Sequence, residues 1–363
     1  MAAATSITPL TAACQLTATD QDTYRRAASS GVPMPVRRIA YERSIRACPN
    51  EPRLYVEFTS LLIANREFNT ALPWIDKGLK LEPENQILNL RRGETLVGLS
   101  RGQEALTALA KAPETGEREF FRGLAYQLVE DHHAAQECFL HAWNQGDEDP
   151  YVLYSLMVED KELGDKTGGI EHFKIMLARF PDSAWIHILL GDAHFQKSEE
   201  VEARQEYLAA VQQMPDLFEP NFRLAYLAFE AGENHSAVEY YRRALESKPR
   251  HTEANTYLGE ALRREGKLPE AIDQLRRAIQ LDATSELAYD SLAKSLSDAG
   301  RFPEAANTLA AAEKEFPHES KFPAMRARVL SRLGRTAEAS HAAARAAAII
   351  DQKNKRDALV THQ

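Results

Sequence analysis

Cysteine is scarce in this chain: the 363 residues hold only Cys14, Cys48 and Cys138, too few and too scattered for a disulfide framework. Long apolar runs are missing too. The longest candidates, such as Trp185-Ile186-His187-Ile188-Leu189-Leu190, fall far short of the roughly 20 residues a bilayer-spanning helix needs, so no transmembrane segment is expected. Positive charge is not in excess. With 44 Lys and Arg against 53 Asp and Glu, the formal charge of −9 gives no overall attraction to a phosphate backbone, and nucleic acid is an unlikely partner. The first basic residue is Arg25, whereas a secretory signal or a transit peptide needs basic residues earlier. Small residues precede Cys14, as at a lipoprotein cleavage site, but the basic start and the apolar core of such a signal are lacking. Residues 1–17 are therefore expected to be a disordered leader and the protein cytoplasmic, with an exported or periplasmic location open where the terminus is processed.

Catalytic signatures are absent as well. There is no Gly-x-x-x-x-Gly-Lys-Ser/Thr loop, no Gly-x-Gly-x-x-Gly, no His-Glu-x-x-His and no Cys-x-x-Cys, and no cofactor or metal is expected. One formal match exists, Gly98-Leu99-Ser100-Arg101-Gly102, which reads as a nucleophile elbow. That elbow works only at a strand-to-helix turn above a parallel sheet. Here Ser100 falls between two helical patterns, where with Gln103 it reads as a capping box. Among the histidines, His187 and His194 lie seven residues apart on one helical face with no carboxylate or cysteine in evident support, and packing is the expected role. The adjacent His132 and His133 point in different directions.

What the sequence does have is a composition that folds, 44% apolar and 27% charged, and a clock. Proline recurs at 49 and 83, 34 residues apart, and again at 181, 215, 249 and 317, separated by 34, 34 and twice 34. Glycine keeps the same period at Gly164, Gly232, Gly266, Gly300 and Gly334, with Ser198 in the open slot; alanine keeps it at Ala203, Ala237, Ala271, Ala305 and Ala339. Residues 252–285 show the physics. Leu258, Gly259 and Leu262 recur at helical spacing, Gly266 breaks the chain, and Ala271, Leu275, Ala278 and Ile279 resume the spacing. The pattern predicts two amphipathic helices joined by a tight turn. Gly259, Ala271 and Ala278 permit close approach, and the proline near position 32 ends the second helix.

This pattern resembles the tetratricopeptide repeat family. Its slots hold His187, Leu190-Gly191, His194, Ala203, Tyr207, Ala210 and Pro215 in 184–217, and Asn221, Leu224-Ala225, Ala228, Ala237, Tyr241, Ala244 and Pro249 in 218–251. The same register gives repeats at 52–85, 86–115, 116–149, 150–183, 184–217, 218–251, 252–285, 286–319 and 320–353, after a degenerate repeat at 18–51 and before a polar tail at 354–363. The 86–115 repeat is four residues short. The fold the resemblance implies is all-α, a right-handed superhelical solenoid of about nine to ten helix-turn-helix units. Each helix pair leaves apolar flanks that only its neighbours can cover.

The resemblance also implies a function, protein–protein interaction without catalysis, and a place for it. In this family positions 2, 5, 9 and 12 of each repeat line the groove. Across the repeats starting at 116, 150, 184 and 218, eight of the sixteen residues in that stripe are aromatic, where the chain average of 8% predicts about one. The repeats at 252 and 286 have none there (Glu253, Thr256, Glu260, Arg263; Leu287, Asp290, Lys294, Ser297), so the fold does not demand them. The expected groove is Phe120, Tyr151, Tyr154, Trp185, Ile188, Asp192, Phe195, Phe222, Tyr226 and Phe229, with Asp192 and Glu219 favouring an extended or helical segment of a partner protein that carries some basic residues. The family's chaperone clamp needs Lys and Asn in slots where this chain has Thr256 and Glu260, and is not supported. Residues 320–363 hold nine Lys or Arg against three acids, so Arg326, Arg328 and Arg332 form a candidate basic patch for an anionic ligand such as nucleic acid. A further alternative is an accessory subunit that presents substrates to a catalytic partner.

Overall fold

The computed structural model describes residues 31–360, with side chains described through residue 355. Among these residues the chain is all-α, with nineteen helices and no strand. Helix α1 (Met34–Ala47) is the second helix of the first, degenerate repeat; its partner and the expected leader lie outside the described residues. Nine helix pairs follow: α2 and α3 (Pro52–Ala64, Phe68–Leu81), α4 and α5 (Gln86–Gly98, Gly102–Leu109), α6 and α7 (Gly116–Leu128, His132–Asn144), and α8 and α9 (Pro150–Leu163, Lys166–Arg179). Then come α10 and α11 (Ala184–Gln196, Glu200–Gln213), α12 and α13 (Phe218–Glu230, Asn234–Ser247), and α14 and α15 (Thr252–Arg264, Leu268–Leu281). The last pairs are α16 and α17 (Glu286–Asp298, Phe302–Glu315) and α18 and α19 (Lys321–Arg332, Thr336–Val360). The chain divides into two compact units, Met1–Pro181 and Asp182–Gln363.

Four residues of each repeat explain why the chain turns where it does. Position 34 is the N-cap of the following helix: Asn85, Thr115, Asp149, Ser183, His251 and Ser285 each accept a backbone N–H of its first turn. Position 15, between the two helices of a pair, takes positive φ in all nine repeats. Glycine fills it at 164, 232, 266, 300 and 334, and Arg66, Ser100, Glu130 and Ser198 hold it at φ of 57 to 62°. At position 8 the helices touch. A Cβ on Gly93, Gly123, Gly191 or Gly259 would stand 2.4 to 2.6 Å from Leu109, Phe139, Tyr207 or Leu275, the residue at position 24 of the same repeat. At position 4 a side chain reaches back over the preceding loop. Tyr55, Asn89, Asn221 and Asn255 donate to the carbonyls of Pro49, Pro83, Pro215 and Pro249 at 2.7 to 3.3 Å, satisfying oxygens that the helix break leaves unpaired.

Two local expectations are corrected. Ser100 does not cap α5: it occupies the left-handed slot, and Arg101 stands at the N-cap with no side-chain hydrogen bond. The elbow reading falls with it, because Ser100 joins two helices and no strand precedes it. At the other end α19 continues to Val360, past residue 353, so the expected tail begins inside a helix; its alanine-rich sequence has high helix propensity and no breaker.

Candidate partner-binding surface

The first helix of each pair carries the expected stripe. In the N-terminal unit α6 contributes Phe120 and α8 contributes Tyr151 and Tyr154, all half-buried. Phe120 meets Tyr151 edge-on at 5.6 Å, and Tyr151 stacks on Tyr154 at 6.0 Å. In the C-terminal unit α10 contributes Asp192 and Phe195, and α12 contributes Phe222 and Tyr226. Asp192 accepts from the Tyr207 hydroxyl at 2.6 Å and pairs with Arg223 at 3.1 Å; the Arg223 guanidinium lies 5.5 Å over the Phe195 ring. Phe195 then meets Tyr226 at 5.9 Å and Tyr226 meets Tyr257 at 5.8 Å, both edge-on. The result is a fixed row of rings with one carboxylate and one guanidinium beside it.

These contacts share a spacing that the stripe does not show. Phe120 and Tyr151, Asp192 and Arg223, Phe195 and Tyr226, and Tyr226 and Tyr257 are each 31 residues apart. Thirty-one is one repeat less three residues, so neighbouring first helices meet one turn out of step. Tyr257, at position 6, belongs to the row and escapes a reading confined to positions 2, 5, 9 and 12. Counting back 31 residues from each aromatic would have found it.

The structure withdraws three residues from the exposed surface. Trp185, Ile188 and Phe229 retain 7%, 1% and 4% of their accessible area. Arg264 lies 3.8 Å over Phe229 and Tyr257 packs against it at 5.5 Å. Covering large apolar groups within the chain is favourable by about 25 cal/mol per Å², and these three are packing residues. Phe222 remains half-buried, held between Phe218 at 5.4 Å, His251 at 5.4 Å and Tyr241 at 5.8 Å.

The basic patch is also altered. Arg326 donates to buried Glu313 at 2.9 Å, and Arg345 pairs with the other oxygen of the same carboxylate at 3.1 Å. Lys321 pairs with Glu286. Both acids lie before residue 320, so part of the positive excess of this end is neutralised by the preceding repeat. Arg332 lies 5.5 Å over the Phe302 ring, and Arg328 is exposed.

Chemistry finds little to work with. Among the described residues no group of three or more His, Cys, Asp and Glu could hold a metal ion. His187 and His194 do have carboxylate partners, Glu206 and Glu199, both at 2.6 Å, which sequence spacing did not reveal because they come from the second helix of the pair and from the turn before it. The Cys138 thiol is buried, and burial pushes it up to about 12, which leaves no thiolate for nucleophilic attack.

Comparison with known proteins follows the same lines. The tetratricopeptide repeat model matches residues 160–217, 222–286 and 291–355, just over half of the chain. No curated protein sequence matches. Among solved structures, a chain in the crystal structure of the APC/C hetero-tetramer Cut9-Hcn1 is similar at 16% identity, with a TM-score of 0.55 over 81% of this chain. The match spans 59% of that chain's length, and the likeness is one of fold. A crystal structure of MamA aligns at 21% identity over 48% of this chain and 96% of its own, with a TM-score of 0.47. MamA 41-end from Desulfovibrio magneticus RS-1 aligns at 21% identity over 44% of this chain and 92% of its own, with a TM-score of 0.41.

Proposed function

This chain belongs to the tetratricopeptide repeat family, a class of protein-interaction scaffold, and from that premise we propose that it carries out no reaction itself and holds a segment of a partner protein on the first-helix surface of its C-terminal unit. The observation that supports the reading is the half-buried row Phe195, Tyr226 and Tyr257, held by contacts at 5.9 and 5.8 Å and flanked by Asp192. Rings fixed in advance offer contact area at low entropic cost, the usual character of residues that dominate binding energy. The neighbouring α16 keeps its place with Asp290 and Lys294 in the corresponding slots, so the aromatic row exceeds what stacking requires. Asp192 and Glu219 are already paired within the chain, with Arg223 at 3.1 Å and Lys248 at 2.7 Å, so the rings and not free negative charge are what the surface offers an apolar partner segment.

The experiment is site-specific photo-crosslinking in the native host, with the crosslinker in place of Tyr226 and, as control, of exposed Arg328. The reading expects a discrete partner captured from position 226 and missing at 328, and lost from position 226 when Phe195→Ala is added. Identical capture from both positions overturns it.

A further inference from the structure

Three buried carboxylates of this chain are each held by two arginines: Glu119 by Arg118 and Arg122, Glu260 by Arg263 and Arg264, and Glu313 by Arg326 and Arg345. Their partners are charged at every physiological pH. Glu159 and Asp160, consecutive residues near the end of α8, are buried more deeply, at 0% and 1% exposure, and are held differently. One oxygen of Glu159 accepts from Gln127 of α6 at 2.6 Å, and the other lies 2.8 Å from Nδ1 of His132 in α7. One oxygen of Asp160 accepts from Gln136 of α7 at 2.7 Å, and the other lies 2.7 Å from Nδ1 of His172 in α9. All four oxygens are thus satisfied. Among the described residues no lysine or arginine pairs with either carboxylate.

We propose that this network is a pH-sensitive latch on the last helix pair of the N-terminal unit, closed when His132 carries a proton and loosened when it loses it. Ionised carboxylates only accept, so each Nδ1 carries hydrogen in either state; protonation changes the charge and not the bond. With His132 protonated, the buried Glu159 charge has a cation against it. With it neutral, Glu159 keeps its charge out of water against only amide and imidazole dipoles, beside a second buried carboxylate, a costly arrangement. The surroundings reinforce the direction. Glu130 in the preceding turn and Glu162 of α8 add negative charge near His132, and the Asp165 carboxylate, the N-cap of α9, stands close to Asp160 across Gly168. The His132 imidazole is held above its ordinary range, first by its hydrogen bond to Glu159. A base held above its ordinary range contributes stability that is complete below that range and disappears as pH rises through the higher folded value. The chain also makes room for the network: a Cβ on Gly168 would stand 2.6 Å from Asp165 Oδ2 and 3.2 Å from Asp160 Oδ1. Two consecutive glycines, 168 and 169, sit in the first turn of α9, where each disfavours helix.

Hydrogen exchange on the full chain tests this, with the protection of α8 and α9 taken as a ratio to that of α16 and α17, which contain no histidine, so that intrinsic base catalysis cancels. The ratio should fall as pH rises from about 5.5 to 8.5, the direction set by an imidazole held above its ordinary range. The double variant E159Q/D160N should flatten the profile, and H132Q alone should reduce its amplitude. A flat profile in the wild-type protein overturns the latch, as does an undiminished slope in E159Q/D160N. Should that double variant fail to fold, the wild-type ratio and H132Q decide.

Discussion

In the C-terminal unit the left-handed slot between helices is glycine in four repeats of five, at 232, 266, 300 and 334; in the N-terminal unit Arg66, Ser100 and Glu130 fill it and only Gly164 is glycine. The same contrast recurs at position 8, where small residues let the helices touch. The C-terminal unit has Gly191, Ala225, Gly259, Ala293 and Ala327, whereas the N-terminal unit admits Thr59 and Met157 beside Gly93 and Gly123. The N-terminal unit also contains the short repeat, with an α5 of 8 residues against 14 in α15. The family model follows the contrast, its matches beginning only at residue 160. Yet both units form the same helix pairs with the same turn. What every described repeat shares is the backbone state at position 15 and the packing of its two helices; a small residue at position 8 and a side-chain cap at position 34 recur without being obligatory, since Met157 stands at the first and Leu217 at the second without capping. The consensus residues are one way of meeting those needs, and Arg66, Ser100 and Glu130 meet them with strain.

The largest effect that would sharpen this contrast is expected in the regular unit. Glu313 is 3% exposed and joins α17 to α18 and α19 through Arg326 and Arg345. Glu313→Ala removes the carboxylate that two partly exposed guanidiniums share and should destabilise the last repeat by about 1.5–3 kcal/mol. Urea denaturation followed by exchange in α18 and α19 measures it. An effect near that of an exposed pair, such as Arg301 and Glu304, would show the triad to be ornamental.

Overpacking comes next. Gly259→Val places a Cβ where Leu275 Cγ stands at 2.4 Å and should cost about 1–3 kcal/mol, whereas Met157→Val at the same position of the irregular unit should cost less than about 1.5 kcal/mol. Equal costs would mean that position 8 imposes the same size limit in both units. Smaller gains run the other way. Arg66→Gly and Ser100→Gly relieve a left-handed backbone that costs an L-residue about 1–2 kcal/mol. Set against the added freedom of glycine in the unfolded chain, each should raise stability by about 0.5–1 kcal/mol in thermal unfolding. Ser198→Gly in the C-terminal unit, at φ of 62°, should gain the same.

The division between what was legible and what was not follows from these requirements. Period, helix pairs and turns could be read because Pro49, Pro83, Gly232 and Gly266 act locally, each through its own backbone. The 31-residue diagonal and the Glu206 partner of His187 depend on how helices register against one another, which no single helix encodes. Burial of Trp185, Ile188 and Phe229 was hidden for the same reason: a stripe marks the side of a helix, and what covers that side is another repeat.

A last prediction sets the two units against each other through pH. His251 caps α14 by accepting the Ala254 N–H at 3.2 Å on Nδ1, and it lies 4.5 Å from the Phe218 ring. Burial, the largest cause, holds this imidazole below its ordinary range, with Lys248 acting in the same direction. On acidification the unfolded chain takes up this proton before the folded one does. The stability that neutral His251 contributes is therefore complete above the ordinary histidine range and disappears as pH falls through the lower folded value. Protonated Nδ1 cannot accept, so the cap is lost with it, a change of about 1 kcal/mol. His251→Asn keeps a capping oxygen and should remove the dependence. Exchange in α14 at about pH 5.5 and 7.5 reads the effect, whose sign is opposite to that expected for α8 and α9, where His132 must be charged to hold and not neutral. If both helix pairs loosened in the same direction, the assignment of neutral imidazole to one unit and charged imidazole to the other would be wrong.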